Sequence, residues 1–201
     1  MKPTRHILVA ALLVVGLTAP PALGAAPTSF VKGILNEVMA IQNDPALEGP
    51  THEKTRGEAI RRVIQKNFDF PYMAQDSLGA AYGRLSAGQR QEFLKVFSAL
   101  FQESYTNMVL KFLKRETVEY GQETQEDGGR ARVKTTLVRL NDTIPVEYLL
   151  HQKGGGWLLY DVIVDGVSIL DKYKSGFARE IQARSFESLM QKMRTQLQAV
   201  Q

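Results

Sequence analysis

Few side chains in this sequence have both the type and the spacing that catalysis requires. Asp161 and Asp165 stand four residues apart in a predicted strand and therefore share one face. Four residues of strand separate them by roughly 13 Å, whereas the paired carboxylates of glycosidases lie roughly 5 to 9.5 Å apart. We therefore interpret both aspartates as strand-end and turn residues rather than as an acid and base pair.

The other candidates for chemistry also lack the partners that they would need. His6, His52 and His151 are far apart in the chain and there is no cysteine, so a zinc site is not expected. The glycines at 154–156 are not followed by Lys-Ser or a helix start, so they predict a hairpin turn rather than a phosphate loop. Ser168 lacks the Gly-x-Ser-x-Gly motif of a nucleophile elbow. We expect no catalytic residue, no metal and no cofactor.

The second half of the chain has the hydrophobic pattern of a sheet. Four strands are predicted, at 118–120, 131–137, 144–150 and 157–164. The first three alternate apolar and polar residues, and the fourth is an almost unbroken apolar run. Turn residues at 127–129, 141–142 and 154–156 join them, which predicts an antiparallel meander with one apolar face.

Helical periodicity dominates the rest of the chain. It predicts helices near 28–41, 51–67 and 86–114 before the strands, and two more after residue 170 and after Ser185. The longest helix begins at a capping box of Ser86 and Gln89. Its aromatic-rich stripe fits either a filled core or one wall of a large apolar cavity. The order of elements indicates an α+β fold with a helical N-terminal part and helices packed on the sheet.

The N-terminus has the three regions of a secretory signal peptide. Residues 1–6 are basic, residues 7–17 are apolar, and small residues follow at 22–26. The apolar run is well short of the roughly 20 residues that a membrane-spanning helix needs. We therefore expect residues 1–25 to be a cleaved signal peptide and residues 26–201 to form one domain.

The composition of that domain excludes one class of partner. Hydrophobic residues make up 44% of the chain, which argues against disorder. Removal of Lys2 and Arg5 with the signal peptide reduces the 25 basic residues to 23, against 21 acidic ones. This balance argues against a nucleic-acid-binding protein.

Two blocks of residues resemble the MlaC, or toluene tolerance, family. The first contains Trp157, Tyr160-Asp161-Val162, Asp165-Gly166-Val167-Ser168, Tyr173 and Phe177. The second contains Phe68-Asp69-Phe70, Leu78-Gly79, Leu85-Ser86, Gln89-Arg90, Phe93 and Tyr105. Together they cover most of residues 28–200. The resemblance implies a fold like that of nuclear transport factor 2, in which a curved antiparallel sheet and its helices enclose a pocket.

The same resemblance implies a function, because members of this family are periplasmic phospholipid carriers. It implies a non-enzymatic shuttle that holds the tails of a diacyl phospholipid in an apolar cavity. The implied partners are an outer-membrane lipoprotein complex and an inner-membrane ABC transporter with its substrate-collecting subunit. At about 0.8 kcal/mol per CH₂, exposing two sixteen-carbon tails to water costs on the order of 25 kcal/mol, so such a lipid needs a carrier.

The candidate tail-binding residues are apolar or aromatic side chains of the longest helix and the four strands. They are Phe97, Leu100, Phe101, Tyr105, Tyr120, Val133, Leu137, Val146, Tyr148, Leu150, Val162 and Val164. Two alternatives stay open. One is a pocket enzyme resembling ketosteroid isomerases, for which Tyr148, Tyr160 and Asp161 supply the residue types without a recognisable spacing. The other is an interaction module with a filled core.

We predict that export removes residues 1 to about 24–26, because the small residues follow an apolar run too short to anchor the protein. Intact-mass measurement of the exported protein checks this. A mature, membrane-attached protein that retains Met1 would contradict the soluble shuttle.

Overall fold

The computed structural model of the protein describes residues 26–114 and 116–200. These residues form seven α-helices and one five-stranded antiparallel sheet, which confirms the α+β fold. The expected signal peptide, residues 1–25, lies outside the described residues. None of the described helices is both long enough and apolar enough to cross a bilayer.

The elements follow one another in two groups. The helices are α1 (Pro27–Gln42), α2 (Glu53–Asn67), α3 (Phe70–Leu78), α4 (Ala80–Arg84), α5 (Ala87–Phe112), α6 (Ile169–Ala183) and α7 (Phe186–Val200). The strands are β1 (Thr117–Glu126), β2 (Arg130–Val138), β3 (Thr143–Lys153), β4 (Gly156–Val164) and β5 (Val167–Ser168). The strands pair in chain order, as expected for a meander.

Side chains fix the start of the longest helix but not that of the first. The Ser86 hydroxyl accepts from Gln89 N at 3.2 Å, and the Gln89 side chain accepts from Ser86 N at 2.9 Å, which confirms the capping box at α5. No described side chain caps α1. Thr28 instead donates from its N and Oγ1 to the Glu123 carboxylate, at 2.9 and 2.6 Å, and so ties α1 to β1.

Two register shifts interrupt the alternation of inward-facing and outward-facing side chains in the sheet. One lies in β1 between Tyr120 and Glu123. The other lies opposite Leu149 and Leu150, where β4 has one residue more than β3. Each of these shifts is a β-bulge. Because of the second bulge, Leu159 and Val162 are both buried although they are three residues apart.

The core is filled by aromatic side chains on the N-terminal two thirds of α5. Phe97 contacts the rings of Phe93 and Phe101 on its own helix and those of Tyr173 and Phe177 on α6, with centroids 5.5 to 6.2 Å apart. Offset and edge-on ring pairs of this kind add to the free energy gained from burial. This packing fixes α5 against α6 and closes that end of the interior.

A buried carboxylate joins α3 to the far end of the sheet. Asp69 caps α3 by accepting from Tyr72 N at 3.2 Å, and it also accepts from Lys153 Nζ at 2.7 and 3.0 Å. His151 Nε2 lies 2.9 Å from the same carboxylate. Burial opposes ionisation of Asp69, but the hydrogen bonds from Lys153 and Tyr72 N and the charge of Lys153 outweigh it, so its pKa lies below the usual value.

We predict that Asp69→Asn lowers the free energy of unfolding by about 1–3 kcal/mol at pH 7, because buried hydrogen bonds to a charged acceptor are lost. A lowered pKa in the folded protein means that the carboxylate stabilises the fold fully above the unfolded pKa of about 4. This stabilisation disappears as the pH falls through the lowered pKa. Urea unfolding across this pH range should therefore show the two proteins converging at acid pH.

Asp76→Asn is the matched control. Asp76 pairs with Lys174 at 3.3 Å with 35% of its side chain exposed, so its loss should cost less than about 1 kcal/mol. Equal losses for the two substitutions would contradict the role given to Asp69.

Candidate functional site

The C-terminal third of α5 and the inner face of the sheet enclose an apolar cavity of about 430 Å³. The helix contributes Tyr105, Met108, Val109 and Phe112, and Leu113 follows it. The strands contribute Leu137 from β2, Ile144, Val146 and Tyr148 from β3, and Val162 and Val164 from β4. Eleven of the fifteen lining residues are therefore aliphatic or aromatic, which suits an apolar ligand.

Two chain reversals meet at the mouth of this cavity. The β2–β3 turn contributes Arg139 and Asp142, the start of β3 contributes Thr143, and the β4–β5 turn contributes Asp165. Both turns lie at the same end of the sheet because consecutive strands are antiparallel, and Asp165 N donates to Pro145 O at 2.9 Å across it. Polar side chains thus gather at the mouth, whereas apolar ones line the interior.

The end of α5 is held in place at this mouth by two side chains. Gln42 Nε2 of α1 donates to Leu113 O at 2.8 Å, and Arg139 donates to Phe112 O at 2.7 Å. The last carbonyl groups of a helix have no partner within the helix. These two side chains supply partners, so that Gln42 ties the end of α5 to α1 and Arg139 ties it to the β2–β3 turn.

Half of the candidate tail-binding residues line the cavity. They are Tyr105, Leu137, Val146, Tyr148, Val162 and Val164. The other six do not. Phe97, Leu100, Phe101, Val133 and Leu150 are buried in the filled core. Tyr120 is half-buried on β1 under Lys32, whose Nζ lies 5.7 Å from the ring centroid.

The cavity also has lining residues that were not among the candidates. The apolar ones are Met108, Val109, Phe112, Leu113 and Ile144, and the polar ones are Arg139, Asp142, Thr143 and Asp165. The five apolar residues fall within the predicted long helix and the predicted strand at 144–150. The four polar residues lie in or beside turns, where periodicity gives no information about the direction of a side chain.

The two tyrosines of the cavity are neutral groups. Burial raises the pKa of Tyr105, and the nearby charge of Asp161 raises it further. Burial also raises the pKa of Tyr148 well above its usual value, and its neighbours Tyr105 and Tyr120 add to the effect. Their phenols therefore stay protonated at physiological pH and bring no charge into the apolar wall.

Asp161, the carboxylate of the enzyme alternative, is not among the lining residues of the cavity. Its oxygens accept from Val162 N at 2.8 Å, Leu170 N at 3.0 Å and Ser168 Oγ at 2.5 Å. Burial raises its pKa, and these three hydrogen bonds oppose that rise. Ser168 in turn caps α6 by accepting from Asp171 N at 2.9 Å. Asp161 therefore joins β4 to the start of α6.

The surface around the mouth is unusual in exposing apolar side chains. Among the described residues, the large hydrophobic side chains that are exposed are Phe112, Leu140 and Val167. Phe112 ends α5, Leu140 lies in the β2–β3 turn, and Val167 follows the β4–β5 turn. Phe112 lines the cavity, and Leu140 and Val167 lie in or next to the two turns at its mouth. Over residues 26–114 and 116–200, no group of three acidic or histidine side chains is arranged as a metal site.

Two curated proteins are similar to this chain in sequence. The intermembrane phospholipid transport system binding protein MlaC of Haemophilus influenzae is 22% identical over 138 residues, which is 67% of this chain and 64% of that protein. The match thus spans slightly less than two thirds of the Haemophilus protein. The toluene tolerance protein ttg2D of Pseudomonas putida is 26% identical over 175 residues, which is 85% of this chain and 81% of that protein.

A solved structure has the same fold. The phospholipid-binding protein from Ralstonia solanacearum, determined in complex with a phospholipid, superposes with a TM-score of 0.76 at 23% identity. The superposition covers 88% of this chain and 99% of that one. The family described as MlaC protein matches residues 32–195, far more than half of the sequence. The chain belongs to the MlaC family.

Proposed function

We propose that this protein is a non-enzymatic phospholipid carrier that holds acyl tails in the cavity between α5 and the sheet. The observation that carries the proposal is the apolar wall of that cavity together with its polar mouth. An amphipathic lipid needs this division, with tails inside and headgroup near water. The phospholipid bound to the Ralstonia protein and the name of the Haemophilus relative support the choice of ligand.

The volume of the cavity bears on how much of a lipid it holds. If a methylene group takes about the volume of a water molecule in the liquid, roughly 30 Å³, then a cavity of about 430 Å³ has room for about 14 methylene groups. That space accommodates most of one sixteen-carbon tail. A second tail of sixteen carbons would require α5 and the sheet to move apart, or would leave the tail at the apolar surface around Phe112 and Leu140.

The cellular role that we propose is transport through the periplasm. A signal peptide at residues 1–25 would deliver the protein there, as the sequence predicts. The proposed partners are an outer-membrane lipoprotein complex and an inner-membrane ABC transporter with its substrate-collecting subunit, between which the carrier would shuttle a diacyl phospholipid. Membership of the MlaC family and the word intermembrane in the name of the Haemophilus relative support this role.

We predict that Asp161→Asn leaves lipid transfer between two vesicle populations within a few-fold of the unmodified protein. It should instead lower the free energy of unfolding by about 1–3 kcal/mol, because Asp161 accepts three buried hydrogen bonds. Transfer assays and urea unfolding measure the two effects. Loss of turnover of a small molecule by the roughly 10²- to 10⁴-fold expected for a general acid or base would favour the enzyme alternative.

The cavity itself is tested by Val146→Phe. Val146 lines the cavity from the middle of the sheet, so a larger side chain there occupies space that a tail would use. We predict that the variant co-purifies with much less phospholipid, while its melting temperature after delipidation changes little. Mass spectrometry of lipid per protein and thermal unfolding measure the two quantities.

Val133→Phe is the matched control on the neighbouring strand. Val133 is fully buried in the filled core and does not line the cavity, so the same change should overpack the interior and cost about 1–3 kcal/mol. If Val146→Phe lost as much stability as Val133→Phe, or kept its lipid, Val146 would not face a tail-binding space.

A further inference from the structure

Arg139 stands at the boundary between two cavities of different character. On one side is the apolar cavity, and on the other is an open groove of about 830 Å³. The groove is polar and charged, with Gln42, Arg56, Lys114 and Glu116 among its lining residues. Arg139 lines both spaces. A molecule with an apolar part in the first and a polar part in the second would therefore pass its guanidinium group.

The contacts of Arg139 hold this guanidinium in place without using all its donors. One terminal nitrogen donates to Phe112 O at 2.7 Å, and the group lies 5.7 Å from the centroid of the Phe112 ring. Nε is buried and makes no hydrogen bond to any described residue. It lies 3.4 Å from Glu116 Oε1, near enough for an ion pair but without hydrogen-bond geometry. The guanidinium group of Arg139 is thus held at the boundary between the two spaces and still has N–H donors available for a ligand.

The surrounding charges restrict where an anion could bind. Asp142 and Asp165 also line the apolar cavity near its mouth, and Glu116 lines the groove. These carboxylates repel an anion, whereas an arginine presents a planar fork of donors that matches a phosphate group. Arg139 is the lining residue of the apolar cavity that carries a positive charge. Next to a low-dielectric wall, its attraction for an anion is stronger than in open water.

We propose that Arg139 binds the phosphodiester group of the lipid whose tail occupies the cavity. This assignment rests on the proposed carrier function and extends it, since it names the group that recognises the headgroup. The ligand class is a glycerophospholipid rather than any apolar molecule of the right size. Arg139 thereby selects against lipids that have the same tails but no phosphate.

The test compares two lipids that differ only in the phosphate-containing headgroup. Binding of a short-tailed phosphatidylglycerol and of the diacylglycerol with identical tails is measured by competition with a fluorescent lipid. The unmodified protein should prefer the phospholipid by roughly ten-fold or more, as expected for a hydrogen bond between charged groups. Arg139→Gln should remove this preference by weakening phospholipid binding more than diacylglycerol binding, and Arg139→Lys should retain part of it.

Two controls separate recognition from structural effects. Gln42→Ala removes the other side chain that fixes the end of α5, since Gln42 Nε2 donates to Leu113 O. Lys134→Gln removes a positive charge from an exposed position of β2 that lines neither space. Both should keep the preference for the phospholipid, and thermal unfolding confirms that each variant is folded.

The outcomes distinguish this proposal from the function on which it rests. A lipid preference that Arg139→Gln leaves unchanged, or that Gln42→Ala also removes, overturns the assignment to Arg139 while the carrier function stands. An unmodified protein that binds neither lipid contradicts the carrier function itself. If the protein binds glycerol 3-phosphate through Arg139 but no lipid, the site recognises soluble phosphate esters and the headgroup assignment is wrong.

Discussion

The aromatic stacking along α5 decides where the interior of this protein is filled and where it is open. Phe93, Phe97 and Phe101 meet rings from α3, α6 and α7, and their side chains are almost completely buried. Beyond Tyr105 the helix continues for two turns, and among the described residues the ring pairs along α5 end at Tyr105. The side chains of Met108, Val109 and Phe112 therefore face the sheet across a gap. The cavity thus begins where the aromatic packing along α5 ends.

Two buried aspartates show how environment assigns different roles to the same side chain. Asp69 accepts from the charged Lys153, and its pKa is lowered in spite of burial. Asp161 accepts from two backbone amides and a hydroxyl group, all neutral, and its pKa is raised because burial outweighs them. Each carboxylate joins a strand of the sheet to a helix start. Polar contacts of Asp69 and Asp161 thus join the helices to the sheet around the cavity, while the cavity wall itself has few polar groups.

The helices and strands could be predicted from the sequence, but which inward-facing side chains fill the core and which line the cavity could not. Period-two and helical patterns identified β1 to β4 and the long helices, and Ser86 with Gln89 located the start of α5. The same patterns placed Phe97 and Val146 alike on inward faces. Periodicity reports that a side chain points inward but not how far away the opposite wall lies. That distance depends on tertiary packing, which is why Phe97 is in the core and Val146 borders the cavity.

Sequence patterns predicted neither the bulge in β4 nor the positions of the turn side chains. The extra residue near Tyr160 and Asp161 shifts the inward face from Leu159 to Val162, and the continuous apolar run conceals this shift. Arg139 is isolated in a turn, and only the three-dimensional structure places it between the apolar cavity and the polar groove.

The register shift in β1 has a consequence for how copies of this protein behave when crowded. β1 is an edge strand, and a long flat edge offers unpaired N–H and C=O groups to a strand of another molecule. Here the bulge between Tyr120 and Glu123 interrupts that edge, and Thr28 of α1 is fastened to it. At the opposite edge β5 covers only Ile163 and Val164 of β4, and Asp69 N donates to Leu159 O at 2.8 Å farther along that strand. Both edges are thereby poor templates for strand addition, so the open sheet resists edge-to-edge aggregation.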